Sequence, residues 1–309
     1  METRARPANP LIGAIEGGGT KFVCAVSDAS GLLLQRQSLP TRDPADTLAR
    51  CVDFFLAMQS HHGPLSALGV GCFGPLQLRQ DASDYGCLLG TPKPGWSGAN
   101  LLAPLRELGI PLVIDTDVAV AARGELSHGA GRGKGSLAYV TVGTGIGGAI
   151  APSPAGSRLM HAEMGHLIVR RDVRDADFRG TCPFHADCLE GLASGPAILA
   201  RWGCDLSHLP SAHHGREVIA SYLGQLAVAI ILLHGPATLV FGGGVMSDPA
   251  LLPAVRRATH TMLAGYLPPL REGSAVDDFL QPPALAADSA IVGAVQMALE
   301  HLADRGRAT

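Results

Sequence analysis

The first hydrophobic segments of the chain predict a β-hairpin followed by a helix. Apolar residues dominate positions 11–15 and 21–27, and the glycines at 17–19 interrupt them, which places the glycines at the tip of a hairpin. Positions 44–61 then carry apolar residues near helical spacing behind Asp43, a residue type that commonly caps helices. This region therefore predicts strand, turn, strand and helix.

An apolar run that ends in glycines occurs twice more. Residues 137–142 lead into Gly143-Thr144-Gly145, and residues 237–241 lead into Gly242-Gly243-Gly244. Other apolar segments predict strands at 65–70 and 112–114 and helices at 99–108, 117–128, 219–233 and 289–302. The mixture of strands and helices predicts an α/β protein.

Length and composition favour a two-lobed globular enzyme. The chain has 309 residues, more than one core usually serves, with 47% hydrophobic and 17% charged residues. A formal net charge of −3 without a Lys/Arg run argues against nucleic-acid binding, because phosphate backbones require clustered cations. No nucleic-acid partner is expected.

Targeting signals and cysteines point to the cytoplasm. The longest uninterrupted apolar stretch, residues 226–233, is far shorter than the roughly 20 residues that cross a bilayer. Residues 1–10 are polar and offer no apolar signal-peptide core. Seven cysteines, an odd number in a long chain, fit reduced thiols of which some could hold a metal. We therefore expect a cytoplasmic protein without a membrane segment.

The glycine loops have two interpretations. Glycine after a strand lets backbone N–H groups approach a phosphate, because a Cβ would obstruct the positive φ angles involved. Ordinary hairpin turns also contain glycine. Three recurrences favour the phosphate interpretation, although none of the loops matches the P-loop pattern or the dinucleotide-binding G-x-G-x-x-G unit.

The order of these loops resembles the ROK branch of the actin-like ATPase superfamily. Residues 16–21 resemble its first phosphate hairpin, residues 141–147 its second, and residues 241–246 its adenosine loop. The resemblance implies a two-lobed, ribonuclease H-like α/β fold with the active site in the interlobe cleft. It implies a small N-terminal lobe at 10–116, joined by a helix at 289–305, and a large lobe at 117–288.

Four further segments are similar to bacterial fructokinases of this family: residues 72–75, 85–86, 91–96 and 188–196. The resemblance implies an ATP-dependent sugar kinase that phosphorylates the 6-hydroxyl of a hexose with the help of Mg²⁺. Fructose is the leading substrate, and glucose, mannose and N-acetylmannosamine remain alternatives. Residues 91–96 taken alone would be a Pro/Gly loop anchored by Trp96.

Asp117 is the candidate catalytic base. It lies where an apolar strand gives way to a helix, a position that also suits a simple N-cap, and the local sequence leaves both roles open. The resemblance implies that Asp117 is the base that deprotonates the sugar hydroxyl. Many relatives carry asparagine where this chain has Ala119, which keeps open a sugar-binding sensor with weak turnover.

The resemblance also implies which residues bind ATP and sugar. Glu16 is implied to reach Mg²⁺ through water, and Lys21 is either a phosphate ligand or a solvated side chain. The other implied ATP contacts are Gly18, Gly19, Thr20, Gly143, Thr144, Gly145, Pro196, Gly242, Gly243 and Gly244. The implied sugar contacts are Gly74, Pro75, Thr116, Glu163 and Glu190.

A histidine and cysteine cluster predicts a metal. Cys182, His185 and Cys188 are spaced by three residues, which suits a tetrahedral Zn²⁺, with His166 as the fourth ligand. Free buried thiols beside a surface histidine are the alternative. The resemblance implies zinc, and four protein ligands would make the site structural because no position stays open for water. The resemblance further implies a homodimer.

Overall fold

The structure, a computed structural model, describes residues 10–152 and 161–307. Its strands, in chain order, are β1 (Leu11–Gly17), β2 (Lys21–Ser27), β3 (Leu33–Pro40), β4 (Leu65–Cys72), β5 (Leu112–Thr116), β6 (Leu137–Val142), β7 (Ile146–Ala151), β8 (Leu239–Gly242) and β9 (Leu280–Gln281). Its helices are α1 (Pro44–His62), α2 (Leu102–Leu105), α3 (Asp117–His128), α4 (Leu189–Ala193), α5 (Gly195–Trp202), α6 (Gly215–His234), α7 (Leu251–Leu263), α8 (Gly273–Phe279) and α9 (Ser289–Arg307).

The described chain divides into two compact units. Unit 1 holds residues 10–127, His161 and residues 287–307, and unit 2 holds His128–Pro152 and Ala162–Ala286. Each unit contains one β-sheet and its own apolar core. Helix α3 belongs to unit 1, so the two units divide at the end of this helix.

The sheet of unit 1 has the strand order β3-β2-β1-β4-β5. Strand β1 is antiparallel to β2 and parallel to β4, and β4 is parallel to β5. In this register Gly17 pairs with Cys72, and Cys72 pairs with Thr116. Because parallel strands present their carboxyl ends at one edge, the segments that follow β1, β4 and β5 begin side by side.

The sheet of unit 2 has the order β7-β6-β8-β9 and repeats part of this arrangement. Strand β6 is antiparallel to β7 and parallel to β8, which is parallel to β9. The pairing β2-β1-β4-β5 in unit 1 has the same directions. Thr141 pairs with Gly242, so the second and third glycine loops follow neighbouring strands at one edge of this sheet.

The last helix completes unit 1. Helix α9 packs against β1 and β4 and crosses α3 at close range. A Cβ at Gly293 would lie 1.6 Å from the carbonyl oxygen of Val120, so the two backbones touch at a place where only glycine fits. Helix α9 therefore belongs to the same unit as β1 and β4.

The longest helix of unit 2 is a core helix. By length and composition α6 could cross a bilayer, and 56% of its most apolar window is buried inside unit 2. Its buried residues include Tyr222, Leu226 and Ile230, which pack with Phe241 of β8. Burial of this kind explains the apolar composition without a membrane.

Most predicted elements are confirmed, and one is shorter than predicted. The helix expected at residues 99–108 is α2, only Leu102–Leu105, followed by a 3-10 turn over Arg106–Leu108. The Asn100 carboxamide oxygen accepts bonds from the N–H groups of Leu102 and Ala103, at 3.0 and 2.9 Å, which starts the helix late. Gly109, with φ 66°, ends it.

Candidate active site

The first glycine loop is a tight turn between β1 and β2. Gly18 donates a backbone bond of 2.9 Å to the carbonyl of Lys21, which closes the turn. Thr41, just after β3, donates through Oγ1 to the Gly18 carbonyl at 2.7 Å and through its N–H to the Thr20 carbonyl at 2.9 Å. The turn is therefore held from β3 as well as by its own strands.

The glycines of the first two loops are not there for positive φ. Of the glycines in the three loops, all within the described chain, Gly243 alone has such an angle, φ 94°. The expectation of positive φ is thus wrong for the first and second loops. At Gly17 the reason is space, because a Cβ would lie 2.7 Å from the Cys72 sulfur of the neighbouring strand.

Asp117 stands at the first position of α3, directly after β5. The Ala119 N–H donates a capping bond of 3.2 Å to Thr116 Oγ1. Thr116 is only 3% exposed. Asp117 itself accepts a bond of 2.8 Å from the N–H of Val118. Because Thr116 takes the role of N-cap, the simple capping interpretation of Asp117 loses its support.

Glu16 lies at the carboxyl end of β1, in the same unit as Asp117. Burial raises the pKa of Glu16, the nearby Asp117 carboxylate raises it further, and Lys21 and Arg36 oppose the shift. Glu16 is thus a carboxylate whose ionisation is opposed by burial and by a second carboxylate, and a nearby hard divalent cation such as Mg²⁺ would stabilise its charge. The residues present therefore fit the metal that the resemblance implies.

The loop after β4 contains Gly74 and Pro75, two of the implied sugar contacts. His161 lies beside this loop, where its Nε2 accepts a bond of 3.2 Å from the N–H of Leu76. A Cβ at Gly74 would lie 3.1 Å from the same imidazole ring. The structure thus brings His161 next to a candidate sugar-binding loop.

The second glycine loop is tied to Glu190. Glu190 Oε2 accepts a bond of 2.8 Å from the N–H of Ile146, and a Cβ at Gly145 would lie 2.7 Å from the same oxygen. In the described chain no donor reaches the other carboxylate oxygen, Oε1. One oxygen of Glu190 therefore positions the side chain, and the other is available to a hydroxyl group.

The third glycine loop and the start of α5 meet the second loop. Gly195 donates a bond of 2.7 Å to the Gly143 carbonyl, and a Cβ at Gly243 would lie 2.4 Å from the Val142 carbonyl. Ser194 caps α5, and Pro196 occupies its first turn with an exposed ring. The implied ATP contacts of unit 2 thus converge on one edge of its sheet.

The four predicted zinc ligands lie together. Their ligand atoms are all within 4.8 Å of one another. His166 Nδ1 lies 3.7 Å from Cys182 Sγ and 3.5 Å from Cys188 Sγ, and Cys182 Sγ lies 3.8 Å from His185 Nδ1. A tetrahedral Zn²⁺ with ordinary bond lengths requires an edge of about 3.6 Å between sulfur and nitrogen. The cluster therefore fits zinc.

Backbone bonds connect this cluster to the chain segments that carry both candidate sugar carboxylates. His166 donates a bond of 3.1 Å to the carbonyl of Glu163, and Leu189 donates one of 2.9 Å to Leu167. Glu190 is two residues beyond Cys188, at the start of α4. A metal at the cluster would join the segment that carries Glu163 to the segment that carries Glu190.

Comparison with known proteins decides the family. A profile described as "ROK family" matches residues 12–301. This chain belongs to the ROK family.

Two similar relatives are named fructokinases. The chain is 39% identical to the fructokinase of Zymomonas mobilis, a match that covers 94% of this chain and 96% of that protein. It is 37% identical to the fructokinase of Pediococcus pentosaceus, with 93% and 97% covered. The fold matches the crystal structure of a ROK hexokinase from Thermus thermophilus with a TM-score of 0.74, at 24% identity, over 95% and 99% of the two chains. The family and the two-lobed fold class predicted from the sequence are confirmed.

Lys93 of this ROK protein is a candidate site residue to which the sequence alone assigned no role. Its Nζ donates a bond of 2.5 Å to the carbonyl of Gly19 in the first glycine loop. The residue belongs to the loop at 91–96, whose motif supported the resemblance without assigning a role to the lysine. The available signal was its charge, because Lys93 is the one charged residue among residues 91–96.

A test of the Glu16 environment uses the metal-free protein. The pKa of Glu16 is higher in the folded chain than its ordinary value of 4.5. The contribution of Glu16 to the folding free energy is therefore fully present below pH 4.5, where the carboxyl is protonated, and is lost as the pH rises through the folded-state pKa. At about pH 8 the buried charge therefore destabilises unit 1. We expect Glu16→Gln to raise the melting temperature there by about 1–3 °C and to have a smaller effect near about pH 4.

The control is Glu107→Gln, which removes an exposed carboxylate of the same unit. Differential scanning calorimetry with a chelator present measures both variants. An equal rise for Glu107→Gln, or a fall for Glu16→Gln at about pH 8, would contradict the electrostatic explanation.

Proposed function

We propose that this ROK protein is an ATP-dependent fructokinase that converts D-fructose and ATP to fructose 6-phosphate and ADP. The supporting observation is the edge of the unit 1 sheet, where the glycine hairpin, the Gly74–Pro75 loop and Asp117 follow three strands that are in register. The residues proposed to bind phosphate, to bind sugar and to act as base thus follow neighbouring strands. The fructokinase names of the two similar relatives support the substrate.

Asp117 is the proposed general base. Its carboxylate accepts the proton of the 6-hydroxyl, the O6 atom forms a bond to the γ-phosphorus, and the bond from that phosphorus to the β,γ-bridging oxygen breaks as ADP leaves. The position of Asp117 at the first turn of α3 supports this role, because the helix amide dipoles stabilise the negative charge of the carboxylate.

The ATP contacts are proposed from the three loops. Gly18, Gly19, Thr20 and Lys21 would face the phosphates from the first loop, and Gly143, Thr144 and Gly145 from the second. Pro196 and the loop of Gly242, Gly243 and Gly244 would hold the adenosine. Mg²⁺, held by Glu16 through water, would neutralise phosphate charge.

The sugar contacts are proposed from Gly74, Pro75, Thr116, Glu163 and Glu190. Glu190 is the best supported, because its Oε2 is fixed to the Ile146 N–H while Oε1 remains available to a hydroxyl. Thr116 contributes mainly through its capping bond, which sets the direction of α3 and of Asp117. We propose that zinc at the cluster keeps Glu163 and Glu190 in place.

Lobe bounds, location and assembly stay proposals on the family resemblance. We propose a cytoplasmic protein and a homodimer, with the lobes that the resemblance implies, 10–116 with 289–305 and 117–288. These lobes differ from the two compact units mainly in counting α3 with the large lobe.

A coupled ADP-release assay across a hexose panel tests the function. We expect ADP release with fructose, and a kcat/KM for fructose at least about 10-fold above those for glucose, mannose and N-acetylmannosamine. A higher value for another hexose would replace fructose as the substrate. The alternative, which Ala119 motivates, is a sugar sensor. A sensor would bind sugar in a calorimetric titration and release no ADP with any hexose.

A further inference from the structure

Lysine is rare in this chain, and two of its lysines meet at the first glycine loop. The sequence contains 3 lysines against 21 arginines. Lys21 begins β2, and the Nζ of Lys93 reaches the carbonyl of Gly19. Lys134 is exposed in a turn of unit 2. The lysine ammonium is a compact charge with three rotatable donors on a flexible stem, whereas the donors of arginine lie in one rigid plane.

The loop that carries Lys93 is fixed to the same hairpin. Trp96 is fully buried, its indole N–H donates a bond of 2.8 Å to the carbonyl of Arg42, and its ring stacks on Phe22 of β2 with 5.4 Å between centroids. This confirms the anchoring role that the sequence suggests for Trp96. The anchor holds Lys93 beside the turn.

Protein donors occupy the carbonyl groups along the tip of the hairpin. The N–H of Phe73 donates to the carbonyl of Gly17 at 2.9 Å, Thr41 donates to the carbonyls of Gly18 and Thr20, and Lys93 donates to that of Gly19. By contrast, within residues 10–152 and 161–307, no acceptor is found for the N–H groups of Gly19 and Thr20. The turn therefore keeps its oxygens engaged and its N–H groups available, as an anion site requires.

Neither lysine is held in a direct ion pair with a described residue. Among the ion pairs of the described residues there is none to Lys21 or Lys93 within 4.0 Å. Lys93 donates one bond, to Gly19, and its ammonium carries two more N–H donors. A group that bridges a backbone carbonyl and an anion would use the remaining donors.

We propose that Lys93 is a phosphate-binding residue of the first glycine loop, where it holds the Gly19 carbonyl and donates to the polyphosphate of a nucleoside triphosphate. The proposal rests on the proposed kinase function. Loss of the ammonium removes one charge-assisted contact and frees a carbonyl oxygen beside the phosphate, and both changes weaken ATP binding.

The test compares Lys93→Met, Lys93→Arg, Lys21→Met and Lys134→Met with the wild-type chain. Steady-state kinetics give kcat and the KM values for ATP and fructose, and calorimetry gives the dissociation constant of MgADP. We expect Lys93→Met to raise the KM for ATP and this dissociation constant by about 10-fold or more, with the KM for fructose changed less than about 2-fold. Lys93→Arg should recover part of the loss, and Lys134→Met should match the wild type.

Two results would overturn the role of Lys93. One is wild-type MgADP affinity in Lys93→Met. The other is an equal rise in the KM values for ATP and fructose together with a lowered melting temperature. That result would mean that Lys93 only holds the loop in place. If the wild-type chain releases no ADP from any hexose, the kinase proposal fails by itself, and MgADP affinity still decides the role of Lys93.

Discussion

Asp117→Asn is expected to lower kcat for sugar phosphorylation by about 10²–10⁴-fold, the usual contribution of a positioned general base. The amide keeps the size and the acceptor oxygen that bonds the Val118 N–H, so α3 should start as before. It cannot accept the proton of the 6-hydroxyl. The KM for fructose should change by only about a few-fold, because the loss lies mainly in the transition state.

The control for this prediction is Asp53→Asn, which removes an exposed carboxylate on α1 of the same unit. Circular dichroism melts establish that both variants fold. A folded Asp117→Asn variant with the wild-type rate would show that the base is another group, and an equal loss in Asp53→Asn would point to a general charge effect.

Cys182→Ser has the second large expected effect. Elemental analysis should find about one zinc per wild-type chain and little in the variant, because the Cys182 sulfur lies near both His166 and His185. Loss of zinc releases the two segments that carry Glu163 and Glu190. The KM for fructose should therefore rise by about 10-fold or more while the KM for ATP changes less.

Cys204→Ser is the matched control, since Cys204 lies in unit 2 outside the cluster. It should retain zinc and the wild-type KM for fructose. A metal-free protein with full activity would contradict the structural role of zinc, and so would zinc that remains after Cys182→Ser.

Zinc has to displace protons at this cluster. Burial raises the pKa of the Cys188 thiol to about 11, so without a cation this thiol is protonated at neutral pH. Thiolate ligation releases that proton, which is the usual coupling between metal binding and pH.

Some ambiguities in the sequence were settled by single hydrogen bonds. The pattern at 115–118 predicted that a strand gives way to a helix there, yet it could not say whether Asp117 is a base or only caps the helix. The bond from the Ala119 N–H to Thr116 Oγ1 gives the capping role to Thr116. Helix ends shift by a residue or two with such local contacts, so residue types alone do not locate them.

The glycine loops show a different limit. Their positions after β1, β6 and β8 follow from apolar runs that end in glycine, a local property. The reason for glycine did not follow, because Gly17 is required by the Cys72 sulfur of a neighbouring strand and not by its own φ. Such a contact depends on strand order, which the local pattern does not contain.

The sequence by itself determined the α/β class, most of the strands and helices, the ROK resemblance and the spacing of a zinc cluster. These depend on residue type and periodicity along a short stretch of chain. The tertiary structure alone decided that Gly17, Cys72 and Thr116 are in register, that α3 belongs to unit 1, and that Lys93 reaches Gly19. Those contacts join residues far apart in the chain, and packing of whole elements sets them.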